Sequence, residues 1–405
     1  MNTSSSNPPP SVPFLFLENA HAAGRDAPCP AAVTHRLGAA ARAAAWAEIT
    51  TWPGYAATPL VRRPALARRL GLEWLGVKDE SDRFGQQSFK ALGGAYGVFR
   101  VLRQEIEARV SGAVVDSADL MAGRWLGYSQ SFTVACATDG NHGRSVAWGA
   151  RLFGCNAVIF LPRGVDPARE AAIAAHEATV WRVDDGYDAA VRMAADQAER
   201  RGWFVVADTT AAAAETGNRA LAEAASAWVT QGYTVLSAEI LDQLSQAERP
   251  THLFVQAGVG ALPAAVCAHM WDVLGPERPR LVVVEPLSAD CHRRSAAAGQ
   301  PESVPGNLET LMAGLACGAV SPQAWAVLET GADAFLAIPD AAAQAAQAML
   351  ATAEDGVPGQ SVGATGAAGL AGLLVAAADP GLRAALGLDA RARVLVLATE
   401  GLVDV

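Results

Sequence analysis

The 405-residue chain is expected to fold as an α/β protein. Two observations carry that expectation. Short β-branched runs recur along the chain, and each is apolar throughout rather than alternating with polar residues. Between them lie Ala-rich stretches with helical patterning. Strands apolar on both faces and separated by helices belong to parallel sheets covered on both sides. The first dozen residues, rich in Ser, Asn and Pro, read as a mobile tail. Strands are then expected at Leu75 to Lys78, Thr133 to Ala137, Ala157 to Leu161, Trp203 to Val206, Leu253 to Gln256, Leu281 to Val284 and Val394 to Leu397. Helices are expected from Ser145 to Phe153, Pro167 to His176 and Ala264 to Trp271. The small-apolar run Val362 to Ala378 is mostly Ala and Gly, which suits a tightly packed buried helix better than a membrane span.

Composition narrows the function. A formal net charge of -10 argues against a nucleic-acid or anionic-membrane surface. The six cysteines lack CxxC spacing and read as reduced buried thiols rather than a disulfide framework or zinc site. No cationic segment with an apolar core opens the chain, so a cytoplasmic location is expected.

Four short motifs carry the chemistry. In Ser88-Phe89-Lys90-Ala91-Leu92-Gly93-Gly94 a lysine sits in an apolar, glycine-bounded segment. Partial burial would lower its pKa towards the neutral, nucleophilic amine that attacks an aldehyde cofactor. Taken alone, such a lysine is more often a solvated residue at a helix start. Thr138-Asp139-Gly140-Asn141-His142-Gly143 follows a strand and precedes a helix. Asn141 there can reach a phenolic ring oxygen, Asp139 can act as acid or base, and His142 reads as structural; a capped turn is the plainer alternative. Gly258-Val259-Gly260-Ala261-Leu262 also joins a strand to a helix, in the outline of a phosphate cradle. It could equally be an ordinary turn. A dinucleotide fingerprint fits it poorly, and no Walker-type motif exists, so a nicotinamide dehydrogenase is disfavoured. Finally, Thr399 ends a strand on a hydroxyl, where ligands of open α/β sheets bind, and could bond a ring nitrogen.

Together these motifs resemble the fold-type II pyridoxal-phosphate enzymes, and within them the diaminopropionate ammonia-lyase family. The likeness runs from about residue 50 to the end. It includes Trp52-Pro53-Gly54-Tyr55, Lys78-Asp79-Glu80-Ser81, Asp208-Thr209, Gln231-Gly232-Tyr233, Val284-Glu285-Pro286 and Met312 to Gly318. The resemblance implies that Lys90 holds pyridoxal 5'-phosphate and moves the α-proton. It places Asn141 on the ring oxygen, Gly258, Val259, Gly260, Ala261 and Leu262 on the phosphate, and Thr399 on the ring nitrogen. Asp139 would be a second acid/base, allowing both substrate enantiomers to lose the α-proton. Asp208 would contact the substrate's β-amino group. A homodimer is implied, with a large cofactor-binding domain of residues 13–91 and 208–405, a small inserted domain of 92–207 and the cofactor between them. No metal is expected.

The chain departs from the family in two places. Thr210 to Gly217 replaces the family's Ala-Trp-Glu-Gly-Tyr, and Gly363-Ala364-Thr365-Gly366-Ala367 has Ala364 where the family has glutamate. Both segments are expected to line the pocket and to bear on substrate choice. The leading expectation is α,β-elimination from 2,3-diaminopropionate, giving pyruvate and ammonia. The alternatives are a lyase acting on a β-hydroxy amino acid and a catalytically silent cofactor-binding homologue. Retention of both Lys90 and Asp139 speaks against the silent form.

Overall fold

The computed structural model describes residues 13–138, 140–209, 219–306 and 308–402. Eleven strands lie in that region: β1 (Leu15–Glu18), β2 (Leu60–Arg62), β3 (Trp74–Asp79), β4 (Thr133–Ala137), β5 (Asn156–Leu161), β6 (Thr179–Arg182), β7 (Phe204–Val205), β8 (His252–Gln256), β9 (Arg280–Pro286), β10 (Ala334–Ile338) and β11 (Arg393–Ala398). They form a seven-stranded sheet in the order β1-β10-β9-β8-β11-β3-β2 and a four-stranded sheet in the order β6-β5-β4-β7. All pairs in the smaller sheet are parallel. The larger sheet is parallel at its centre, with Val396 of β11 opposite Val77 of β3 on one side and Phe254 of β8 on the other.

At its two edges the larger sheet departs from the expected parallel pattern. β1 and β2 both run antiparallel to their neighbours. Each is short and only partly buried, so neither needs an apolar run or a crossover helix. The expected small domain, 92–207, contains every strand of the four-stranded sheet. Its first boundary lies inside the helix Lys90–Arg109, two residues after the helix begins.

Two packing features place the catalytic segments. Gly94 lets the helix Lys90–Arg109 lie against the helix Asn141–Phe153: a Cβ there would stand 1.8 Å from the Ser145 hydroxyl. The glycines of the lysine motif therefore serve helix contact. Behind the same segment, Arg83 bonds Glu80 at 2.6 Å and Glu239 at 2.7 Å, and Lys78 bonds Glu239 at 2.6 Å, all fully buried. This network anchors the loop between β3 and Lys90.

The Ala- and Gly-rich stretch forms a buried helix, Ala364–Ala378, on the larger sheet. A Cβ at Gly372 would come within 2.6 Å of Val284. Among the described residues, no single helix is long and apolar enough to cross a membrane.

Candidate active site

Parallel strands all end on the same side of their sheet, and loops leaving those ends converge. Here β3 leads to Lys90, β4 to Asn141, β7 to Asp208, β8 to the 258–262 loop and β11 to Thr399. The loops enclose a cavity of about 1020 Å³ lined by Lys90, Asn141, Asp208, Gly258, Val259, Ala261, Leu262 and Thr399. Gly260 does not line it. It caps the helix Ala261–Leu274 at φ 100°, pressed so close to His292 that a Cβ would lie 2.4 Å from the imidazole. Only glycine fits there. Asp139 lies outside the described residues, but its neighbours Thr138 and Gly140 both line the cavity.

Lys90 Nζ lies 2.5 Å from Asp208 Oδ2, with the two side chains 20% and 14% exposed. The amine also faces the Phe89 and Tyr233 rings, at 5.4 and 6.0 Å from their centroids. Burial pushes the Lys90 pKa down, but the charge and hydrogen bond of Asp208, with Tyr233 and Cys317, together outweigh it and the net shift is upward. The expectation of a lowered lysine pKa is therefore corrected for the chain with a free amine: desolvation is the largest single effect, but Asp208 and the neighbouring groups together exceed it. Burial likewise pushes Asp208 up, and Lys90 and His142 together reverse this, leaving the carboxyl well below the usual range.

Asn141 opens the helix after β4. Its Nδ2 donates to Glu400 Oε2 at 2.5 Å, and its Oδ1 accepts from Arg144 Nη2 at 3.1 Å. Arg144 also bonds Gln87 Oε1 at 3.1 Å and the Gln86 carbonyl, so this group is tied to the loop that carries Lys90. Glu400 has a raised pKa, chiefly through burial, opposed by Arg169 and by bonds from Thr365 and Asn141.

Thr399 Oγ1 accepts from Gln256 Nε2 at 2.9 Å. The same nitrogen is close to the carbonyls of Thr365, Gly366 and Leu397, which fixes which end of the carboxamide faces Thr399. Gln256 donates to this oxygen, so the threonine's own proton is not spent on it. His142 holds a structural position, with Nε2 2.9 Å from the Val206 carbonyl.

Of the two departures, residues 210–217 lie outside the described region. Ala364 does not line the cavity. It packs with the buried cluster beneath the larger sheet, and Thr365 lines the cavity instead. The first turn of a helix turns adjacent side chains in different directions.

Glu400, Gln256, Thr365 and Arg169 also line the cavity and escaped the sequence reading. Gln256 carried a usable signal, since a polar residue ends an otherwise apolar strand. Glu400 stands beside Thr399 in the quoted motif. Arg169 lies on an ordinary helix, Pro167–Ala174, and carried none.

Comparison with known proteins agrees with this architecture. Residues 51–400 match the family described as pyridoxal-phosphate dependent enzyme. With parallel sheets flanking a lysine-bearing cleft, this defines the chain as a fold-type II pyridoxal-phosphate enzyme. Diaminopropionate ammonia-lyase of Salmonella typhimurium is 36% identical over 358 residues, 86% of each chain. The structure of holo diaminopropionate ammonia lyase from Escherichia coli superposes with TM-score 0.84 at 33% identity, covering 97% of this chain and 95% of that one. The same E. coli enzyme in complex with D-serine gives 0.84 at 32%, with equal coverage. The chain belongs to the diaminopropionate ammonia-lyase family and is a pyridoxal-phosphate-dependent carbon–nitrogen lyase.

Proposed function

We propose that the substrate is 2,3-diaminopropionate, eliminated to pyruvate and two ammonia molecules. The observation that carries this reading is the Lys90–Asp208 pair inside the cavity, which sets a carboxylate against a cation at the reacting centre. The family's relatives act on diaminopropionate by name. A β-ammonium leaving group calls for a nearby anion, and Asp208 is the cavity carboxylate beside Lys90.

The residues present fit pyridoxal phosphate. Gly258 has no room for a side chain, since a Cβ would lie 2.9 Å from the Gly314 carbonyl, so at that position the loop presents backbone just before a helix N-terminus. Unpaired N–H groups there suit a phosphate. In this reading Gly258, Val259, Ala261 and Leu262 hold the phosphate, Gly260 shapes the turn behind them, Asn141 donates to the ring oxygen and Thr399 donates to the ring nitrogen. A neutral hydroxyl at that nitrogen does not enforce its protonation, which suits elimination better than transamination. Bound there, the cofactor takes up the electron pair released at the substrate's α-carbon.

Lys90 then removes the α-proton from one face and Asp139 from the other, while Asp208 pairs with the β-ammonium group. We further propose that 92–207 closes as a lobe over the substrate, which excludes water from the reacting centre. A cytoplasmic location, consistent with six free cysteines, and a homodimer complete the proposal; light scattering tests the dimer. Keto-acid release from a panel of β-substituted amino acids tests the substrate. Release from serine-like compounds alone would leave a lyase but remove the diaminopropionate assignment.

A further inference from the structure

We propose that Glu400 is the positioning residue that sets which end of the Asn141 carboxamide faces the cofactor. The inference rests on the reading above, in which Asn141 donates to the ring oxygen. A carboxamide is nearly symmetric in shape, and its two orientations present opposite hydrogen-bonding character. Asn141 meets a different neighbour at each end. Glu400 Oε2 accepts one Nδ2 proton at 2.5 Å. Arg144 only donates, and it gives to Oδ1 at 3.1 Å. Turning the amide over would oppose oxygen to oxygen and N–H to N–H. One Nδ2 proton is therefore left over, on a residue that lines the cavity. Without Glu400, Arg144 alone would resist the turn that presents a carbonyl oxygen to the ring oxygen.

Glu400 is itself fixed to the lysine segment. Its backbone bridges Ser88, and Phe89 N donates to the Thr399 carbonyl at 3.1 Å. It is 6% exposed. The residue beside the ring-nitrogen donor thus holds the ring-oxygen donor in place, and both are tied to Lys90.

The test is a double-mutant cycle on the holoenzyme, read as the visible absorption of the bound cofactor and as its dissociation constant. Glu400→Ala is expected to shift the absorption and weaken cofactor binding on the order of 10-fold, as for loss of a charge-assisted bond. In an Asn141→Ala background the same change should do nothing further. Two milder variants keep the test open if Glu400→Ala fails to fold. Glu400→Gln retains an oxygen for Asn141 and should keep the wild-type spectrum. Glu400→Asp, a methylene shorter, should lose it. Equal spectra for Gln and Asp, or additive effects in the cycle, would overturn the proposal. An unchanged spectrum in Asn141→Ala would instead remove the Asn141 reading, and the proposal with it.

Discussion

Asp208→Asn keeps the outline of the side chain and removes its charge. With the amine free, the carboxylate lies 2.5 Å from Lys90 and is 14% exposed, so the interaction is poorly screened by water. With substrate bound and Lys90 acting as the neutral base, the β-ammonium of 2,3-diaminopropionate is the cation proposed to pair with Asp208. Losing one partner of a buried, hydrogen-bonded ion pair costs about 2–5 kcal/mol. At about 1.36 kcal/mol per tenfold, even the lower limit is roughly a 30-fold fall in kcat/KM. Serine carries a neutral β-hydroxyl and should lose far less. The assay is keto-acid release by wild type and variant with each substrate under the same conditions. Equal losses on both substrates, or no loss on diaminopropionate, would refute the pairing of Asp208 with the leaving group.

The remaining expectations concern the lysine, the second acid/base and the lobe. Borohydride reduction of the yellow holoenzyme should fix the cofactor on Lys90, as read by peptide mapping, and label on another lysine would contradict the assignment. Lys90→Ala should still bind the cofactor weakly through the 258–262 loop while losing activity by several orders of magnitude, on the order of the loss of a covalent catalytic group. Asp139→Asn should impair one enantiomer of diaminopropionate more than the other, because Lys90 reaches only one face of the α-carbon; equal loss on both would remove its separate role. Hydrogen exchange should show substrate-dependent protection around 138–145, and unchanged protection there would count against lobe closure.

What could be read from the sequence was local. The apolar runs that became β3, β4, β5, β7, β8, β9 and β11 announce parallel strands, because such strands are buried on both faces. The strands missed have other causes. β1 and β2 are short antiparallel edges, β6 is a partly buried edge, and β10, Ala334–Ile338, sits in an Ala-rich region without a clear break. Lys90, Asn141, the glycine loop and Thr399 could be found because each stands at a strand end or helix start. The pairing of Lys90 with Asp208 could not, since 118 residues separate them and only the convergence of two sheets joins them. For the same reason burial of the lysine was foreseen, but the carboxylate that reverses its effect on the pKa was not. The orientation of Thr399 depends on Gln256, and that of Asn141 on Glu400, neither of which local spacing reveals.

The central claim is tested most directly by the stoichiometry of a single reaction. The cofactor-loaded protein would be incubated with 2,3-diaminopropionate, and pyruvate and ammonia measured together. The account predicts pyruvate with two molecules of ammonia for each substrate consumed, one from the β-position and one from hydrolysis at the α-carbon. Serine would give pyruvate with a single ammonia, at lower kcat/KM. Intact diaminopropionate alongside active turnover of serine would contradict the account.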